Sequence, residues 1–224
     1  MQAIAERIGA VFSLGGPVVV LIAILSVAAV TIILAKLWQF QRMRVGRHRR
    51  SNEALDLWLA GRPEEAEALI GGNPAPCARL LRHAFGGYRR SDGDLKRAAD
   101  DVARIAGNIL HDLRSWLRAL DSIAQIAPLL GLFGTILGMI EAFRQLQSAG
   151  DSVDPSQLAG GIWVALLTTA AGLAVAIPVS LVATWFEGRI EDERAAMENL
   201  LTGFATLKVS EGTGGEPREA AHAH

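Results

Sequence analysis

Cysteine is almost missing from this chain of 224 residues: Cys77 is the single one, so no disulfide can form within it. No histidine or second cysteine stands near Cys77 in sequence, and it reads as a small packed residue rather than a reactive thiol. Charge is missing from three long stretches. Ile8–Ala35, Ser122–Ile140 and Pro155–Phe186 run for 28, 19 and 32 residues without Asp, Glu, Lys or Arg. The 22 basic and 23 acidic side chains are crowded into the remainder, although half of the chain is hydrophobic and its mean hydropathy is positive at +0.27. A globular domain mixes apolar and polar residues at helical or strand spacing. Here they are blocked, and each block reaches the roughly 20 residues a helix needs to cross a bilayer. A simple soluble domain is excluded. The blocks also argue against a membrane β-barrel, whose strands alternate apolar and polar residues. The net charge of −1 gives no support to a nucleic-acid partner, and none is expected.

What is present gives an orientation. Only Glu6 and Arg7 precede the first apolar run, whereas Lys36, Arg42, Arg44, Arg47, Arg49 and Arg50 follow it with no acid before Glu53. A secretory signal carries its positive charge on the other side, so the run reads as a retained membrane helix. The positive-inside tendency places the N-terminus outside and the basic stretch in the cytoplasm. The stretch from Lys36 to Arg50 is expected to touch anionic lipid headgroups. The connection Glu141–Asp154 carries Glu141, Arg144, Asp151 and Asp154 and suits the outer face. The expected order is an outer-face segment over 1–14, a first span over 15–37, and a cytoplasmic helical domain over 38–121. A second span follows over 122–143, an outer-face loop over 144–157, a third span over 158–186, a cytoplasmic helix over 187–208, and a disordered tail over 209–224. The class is an all-α membrane protein with long cytoplasmic helical extensions.

Strand signals are absent from the cytoplasmic part and helical ones recur. Gly61-Arg62-Pro63-Glu64-Glu65 reads as one helix stopping and another starting, since proline suits the first helical position and acids suit the positive end of the helix dipole. Gly71-Gly72-Asn73-Pro74 ends that helix, and Gly86-Gly87 and Ser91-Asp92-Gly93 are expected to punctuate the next. Leu95, Ala98, Val102, Ile105, Ile109, Leu113, Trp116, Leu120 and Ile123 follow in steps of three and four. They predict one long helix running into the second span. After Phe186, the residues Ile190, Met197, Leu201, Phe204 and Leu207 form a similar stripe. The glycine-rich end with His222 and His224 predicts disorder and no metal site.

Two spans carry small-residue faces. Gly131, Gly134, Thr135 and Gly138 share one side of the second span; Gly161, Ala165, Thr169, Gly172 and Ala176 share one side of the third. In lipid, helices associate through close packing of small residues, and Gly134 and Gly138 have the spacing of such a contact. Pro128 and Pro178 each remove a backbone donor and free the carbonyls of Ala124 and Ala174, which need a partner inside the membrane. Both are expected to kink their helices. No Asp, Glu, Lys, Arg or His lies near the centre of any span. Proton carriers usually place a titratable residue there. If this chain moves protons, the carboxylate must come from a partner, and its own threonines can only hydrogen-bond water or that acid. No His cluster, nucleophile–base pair or phosphate loop suggests an enzyme, and no cofactor is expected.

Two segments carry a resemblance. Ala127-Pro128-Leu129-Leu130-Gly131-Leu132-Phe133-Gly134-Thr135-Ile136-Leu137-Gly138-Met139-Ile140, followed by Ala142-Phe143, resembles the second-span signature of the MotA/TolQ/ExbB proton-channel family. Ala165-Leu166-Leu167-Thr168-Thr169-Ala170-Ala171-Gly172-Leu173-Ala174-Val175-Ala176-Ile177-Pro178 resembles its third-span signature. The strongest likeness covers roughly 120–186, and the N-terminal third agrees in layout more than in sequence. The resemblance implies a homopentamer in the bacterial inner membrane. Its second and third spans would surround a pore holding single-span subunits of the ExbD/TolR/MotB kind, which carry a membrane aspartate. A TonB- or TolA-like protein would receive the force. Carried over by position, the family's polar pore sites fall on Thr135 and Thr169. The pattern Gly-Ile-x-Glu-Ala-Leu, common among ExbB and TolQ members, reads here Gly161-Ile162-Trp163-Val164-Ala165-Leu166, with Val164 where the glutamate would stand. Valine neither titrates nor accepts a hydrogen bond. The compact chain favours the ExbB or TolQ type over a flagellar stator, with ExbB preferred. Val164 is the best support for the alternative, a non-conducting membrane scaffold.

Overall fold

A computed structural model describes residues 2–90, 95–148 and 155–205 of the chain. Every regular element among them is an α-helix: α1 Gln2–Met43, α2 Arg49–Leu59, α3 Pro63–Ile70, α4 Pro76–Arg90, α5 Leu95–Arg114, α6 Leu117–Ser148 and α7 Pro155–Ala205. Ser91-Asp92-Gly93, part of the expected outer-face loop, Leu207, and the expected tail with His222 and His224 lie outside the described residues. The chain divides into two compact units. One comprises Met1–Leu37 with Trp116–Glu187, the other Trp38–Ser115 with Gly188–His224.

The first unit holds the apolar parts of α1, α6 and α7. Three helical segments are long and apolar enough to cross a membrane, over Gly16–Met43, Asp100–Ser148 and Leu158–Phe204. At 1.5 Å per residue the 28 residues of the first measure about 42 Å, against about 30 Å of hydrocarbon. α1 is interrupted at Gly16, whose φ of 66° and ψ of −164° are not helical, immediately before Pro17. Beyond this point Val18, Ile22 and Ala29 turn inward, while Leu21, Ile24, Val27, Val30 and Leu34 are half or more exposed. In water such a surface would be costly; it suits a helix solvated by acyl chains or by further protein. Lys36 is buried at 2% exposure, so the exposed part of the basic stretch begins only at Arg42. α6 buries Leu117, Leu120, Ile123, Ala127, Gly131, Gly134 and Ala142. α6 and α7 each continue through their internal prolines, Pro128 and Pro178.

The second unit packs in the manner of a soluble helical domain. Gly61 at φ 75° and Gly72 at φ 72° bracket α3, which starts on Pro63 with Glu64 and Glu65 in its first turn. The stop-and-start reading of that segment therefore describes it. At the centre, Trp58 of α2 stacks on Phe85 of α4 with centroids 4.0 Å apart and planes 3° from parallel. Phe204 of α7 leans on both rings at 6.5 and 6.1 Å. Such aromatic contacts add about 0.5–1.5 kcal/mol each beyond area burial. They explain why Gly86-Gly87 does not punctuate α4. The helix runs through both glycines because Leu80, Leu81, Ala84 and Phe85 bury one continuous face, and that packing outweighs the roughly 1 kcal/mol cost of each glycine.

The single helix expected from Leu95 to Ile123 is two. α5 ends at Arg114, and Trp116 adopts φ 67° and stands 67% exposed instead of joining the stripe. A residue in the left-handed region commonly follows a helix C-terminus, and a non-glycine there costs about 1–2 kcal/mol. Val102, Ala106, Ile109 and Leu113 are buried before the turn, and Leu117, Leu120 and Ile123 after it. The apolar steps of three and four thus continue across a break in the backbone.

Candidate functional site

The seam between α6 and α7 is built from missing side chains. A methyl group on Gly172 would stand 2.5 Å from the carbonyl oxygen of Ala127 and 3.2 Å from Cα of Gly131. One on Gly131 would meet Thr168 O and Thr169 Cα at 3.0 Å each. Gly138 faces Ala165, and Gly161 faces Ala142, where an added Cβ would come within 2.5 Å of the Ala142 Cβ. A Cβ on Gly134 would collide with the Thr168 side chain at 2.7 Å and meet Val18 of α1 at 3.2 Å, so the first span also reaches this seam. Backbones at this separation gain dispersion contacts along their length, which is the attraction available to helices in lipid.

Two hydroxyls lie in the seam. Thr168, 1% exposed, donates to Ala165 O at 2.7 Å, with Gly131 O as a second, longer acceptor at 3.3 Å. Thr169, half-buried, donates to the same Gly131 O at 3.2 Å. Donation to backbone carbonyls is what lets a threonine sit inside an apolar span without an unsatisfied donor. Thr135 is half-buried as well and donates to Leu132 O at 2.6 Å, within its own turn. Val164 is half-buried, one residue before the buried Ala165. The structure thus brings Gly131, Gly134, Gly138, Gly161, Gly172 and Thr169 to one line. Thr135 makes its hydrogen bond outside that line.

Thr168 is the residue that spacing arguments passed over. It lies three residues after Ala165 and four before Gly172, so the small-residue stripe runs through it as naturally as through Thr169. The hydroxyls of both retain lone pairs after donating, and a threonine oxygen can accept from water or a protonated acid. No titratable side chain occurs near the middle of any span, so the seam itself can neither take up nor release a proton.

Three apolar helical spans with a glycine-lined seam between the second and third define a multi-pass helical membrane protein. The chain belongs to the MotA/TolQ/ExbB proton channel family, whose model matches residues 74–199. It is similar to a putative biopolymer transport protein ExbB homolog of Methanothermobacter thermautotrophicus, with 30% identity over 205 residues that cover 89% of this chain and 71% of that one. Biopolymer transport protein exbB1 of Vibrio cholerae is 50% identical over 68 residues, 30% of each chain. The Tol-Pal system protein TolQ of Haemophilus influenzae is 30% identical over 172 residues, covering 75% and 74%.

Proposed function

We propose that the chain is an ExbB-like subunit of a motor driven by the proton-motive force. Five copies would sit in the bacterial inner membrane around single-span partners of the ExbD/TolR type, with the N-terminus periplasmic and the C-terminus cytoplasmic. The partner's membrane aspartate supplies the titrating group, and a TonB-like protein carries the resulting force to outer-membrane transport. One observation carries this reading: the spans hold threonine hydroxyls but no group that can bind a proton. Thr135 and Thr169 have their own protons committed to Leu132 O and Gly131 O, so each offers an oxygen lone pair to water or to the protonated aspartic acid. The exposed apolar faces of α6, with Leu129, Phe133, Ile136 and Ile140, are the surfaces along which copies and lipid meet. The exposed arginines Arg42, Arg44, Arg47, Arg49 and Arg50 hold the cytoplasmic end against anionic headgroups.

The test is proton flux into liposomes holding this chain with its partner, comparing the native protein with Thr135→Val, Thr168→Val and Thr169→Val. Valine keeps the shape and removes the oxygen. Flux should fall in Thr135→Val and Thr169→Val and persist in Thr168→Val, whose hydroxyl is enclosed in the seam. Flux unchanged by the first two substitutions would overturn the route. A scaffold without conduction is favoured by one residue, Val164, and would show no partner-dependent flux at all. A TolQ-like assignment would show the flux but deliver its force to a TolA-like protein.

A further inference from the structure

Glu193 occupies an unexpected place. The buried stripe of α7 runs Ala183, Phe186, Ile190, Glu193, Met197, Leu200 and Phe204, and the carboxylate stands where an apolar side chain belongs, 1% exposed. Burying a carboxylate is expensive unless it is fully partnered. Its partners come from two segments far away in sequence. Oε2 accepts from the Gly46 backbone N–H at 2.8 Å and lies 2.9 Å from His48 Nε2, while Oε1 accepts from the Cys77 thiol at 3.2 Å. Cys77 is fully buried, and His48 retains about a quarter of its side-chain exposure. One imidazole nitrogen, one thiol sulfur and one carboxylate thus converge, with their donor atoms all within 4.8 Å of one another.

We propose that His48, Cys77 and Glu193 form a binding site for a divalent transition-metal ion of the zinc type. The ligand set is mixed nitrogen, sulfur and oxygen, which suits a borderline-soft ion and neither magnesium nor calcium, whose ligands are oxygens. Bond lengths of about 2.0–2.3 Å in a tetrahedron set neighbouring donors about 3.4–3.6 Å apart. The 2.9 Å from His48 Nε2 to Glu193 Oε2 and the 3.2 Å from Cys77 Sγ to Oε1 would open by about half an ångström, and the donor atoms, all within 4.8 Å of one another, would draw in around a single ion. On binding, the sulfur–metal bond replaces the S–H bond and the thiol proton leaves to solvent; nothing is oxidised or reduced. The thiolate and the carboxylate together balance the ion's two charges, so the loaded site is neutral and tolerates the arginines around it. Three protein ligands leave a fourth position, as in sites that keep a bound water. His48 also lines a surface pocket of about 340 Å³ with Arg44, Arg47, Arg49, Arg50 and Asn73, which gives an ion a way in from solvent. Gly46, at φ 85°, donates its N–H to Oε2 and so helps to fix the orientation of the carboxylate.

The experiment titrates Co2+, as a spectroscopic substitute for Zn2+, into the full chain in detergent. His222 and His224 are replaced by alanine to remove a competing chelator. The expected result is one ion per chain, a thiolate-to-cobalt charge-transfer band in the near ultraviolet, and loss of that band when Zn2+ is added. Cys77→Ser should abolish the band. His48→Gln should weaken binding by more than about tenfold, since even outer-shell partners of metal ligands cost that much. Absence of the band at saturating Co2+ in the chain that keeps His48, Cys77 and Glu193 would overturn the proposal, and leave the cluster a hydrogen-bonded clamp. That outcome does not depend on whether any ligand variant folds. A band that survives Cys77→Ser would overturn it equally.

Discussion

The two units of the chain solve the same packing problem with opposite materials. In the first, α6 and α7 come together by leaving side chains out: Gly131 and Gly172 bring backbone against backbone, and Gly138 and Gly161 make room for the methyl groups of Ala165 and Ala142. In the second, α2, α4 and α7 come together by filling space with Trp58, Phe85 and Phe204. The surrounding solvent explains the difference. Water drives large apolar side chains together at about 25 cal/mol per Å2 buried, so size is rewarded. Acyl chains are as apolar as leucine, so association must come from close contact and satisfied polar groups. Glycine therefore has opposite meanings in the two halves of one polypeptide.

The strongest way to break this comparison is to put bulk into the seam. Gly172→Leu and Gly161→Leu should leave no correctly assembled protein, because even the first added carbon would lie 2.5 Å from Ala127 O or Ala142 Cβ. An unchanged unfolding midpoint in either variant would show that the seam is not what holds α6 and α7. A smaller effect is expected from removing bulk in the other unit. Trp58→Ala should cost about 3–5 kcal/mol there. Hydrogen exchange should rise across α2, α4 and the end of α7, while the amides of α6 stay protected. The smallest effect has the opposite sign. Gly107 lies within α5, exposed, with nothing within 4 Å of an added Cβ, so Gly107→Ala should stabilise by up to about 1 kcal/mol and raise the unfolding midpoint.

The parts that could be read from sequence are those in which local pattern and packing agree. Blocks without charge mark the apolar helices, and Gly61, Pro63, Gly71 and Gly72 mark the ends of α3 by backbone chemistry alone. The remainder was hidden for identifiable reasons. Trp116 sits in phase with the apolar stripe, yet the backbone turns at that residue into the left-handed region, which no spacing of side chains announces. Gly86-Gly87 has the composition of a breaker and is overruled by the stack of Phe85 on Trp58. Thr168 is masked by its neighbour Thr169, both being near enough to the same helical phase. Glu193 is the most instructive omission. A search for apolar positions steps from Ile190 to Met197 and passes over the acid between them. Its meaning depends on Gly46, His48 and Cys77, which only the fold brings together. The same convergence adds to the picture of Cys77, whose solitary place in the sequence reads as a packed residue rather than a reactive thiol and which the fold buries completely. In the fold, burial first and the neighbouring Glu193 charge second push its thiol well above the usual range, so in the absence of metal it stays protonated and slow toward alkylating reagents.

The inward stripe of α7 also limits how this helix can change length. Each residue advances the helix by about 100°, so inserting or deleting one between Gly188 and Met197 would swing everything beyond it by more than a quarter turn. Met197, Leu200 and Phe204 would leave the interior together, and a change just before Glu193 would carry the acid away from His48 and Cys77 as well. Seven residues, by contrast, return to within about 20° of the starting direction. They also carry the chain about 10.5 Å along the axis, so Phe204 would face inward yet miss Trp58 and Phe85, and the length of this segment is fixed to the residue.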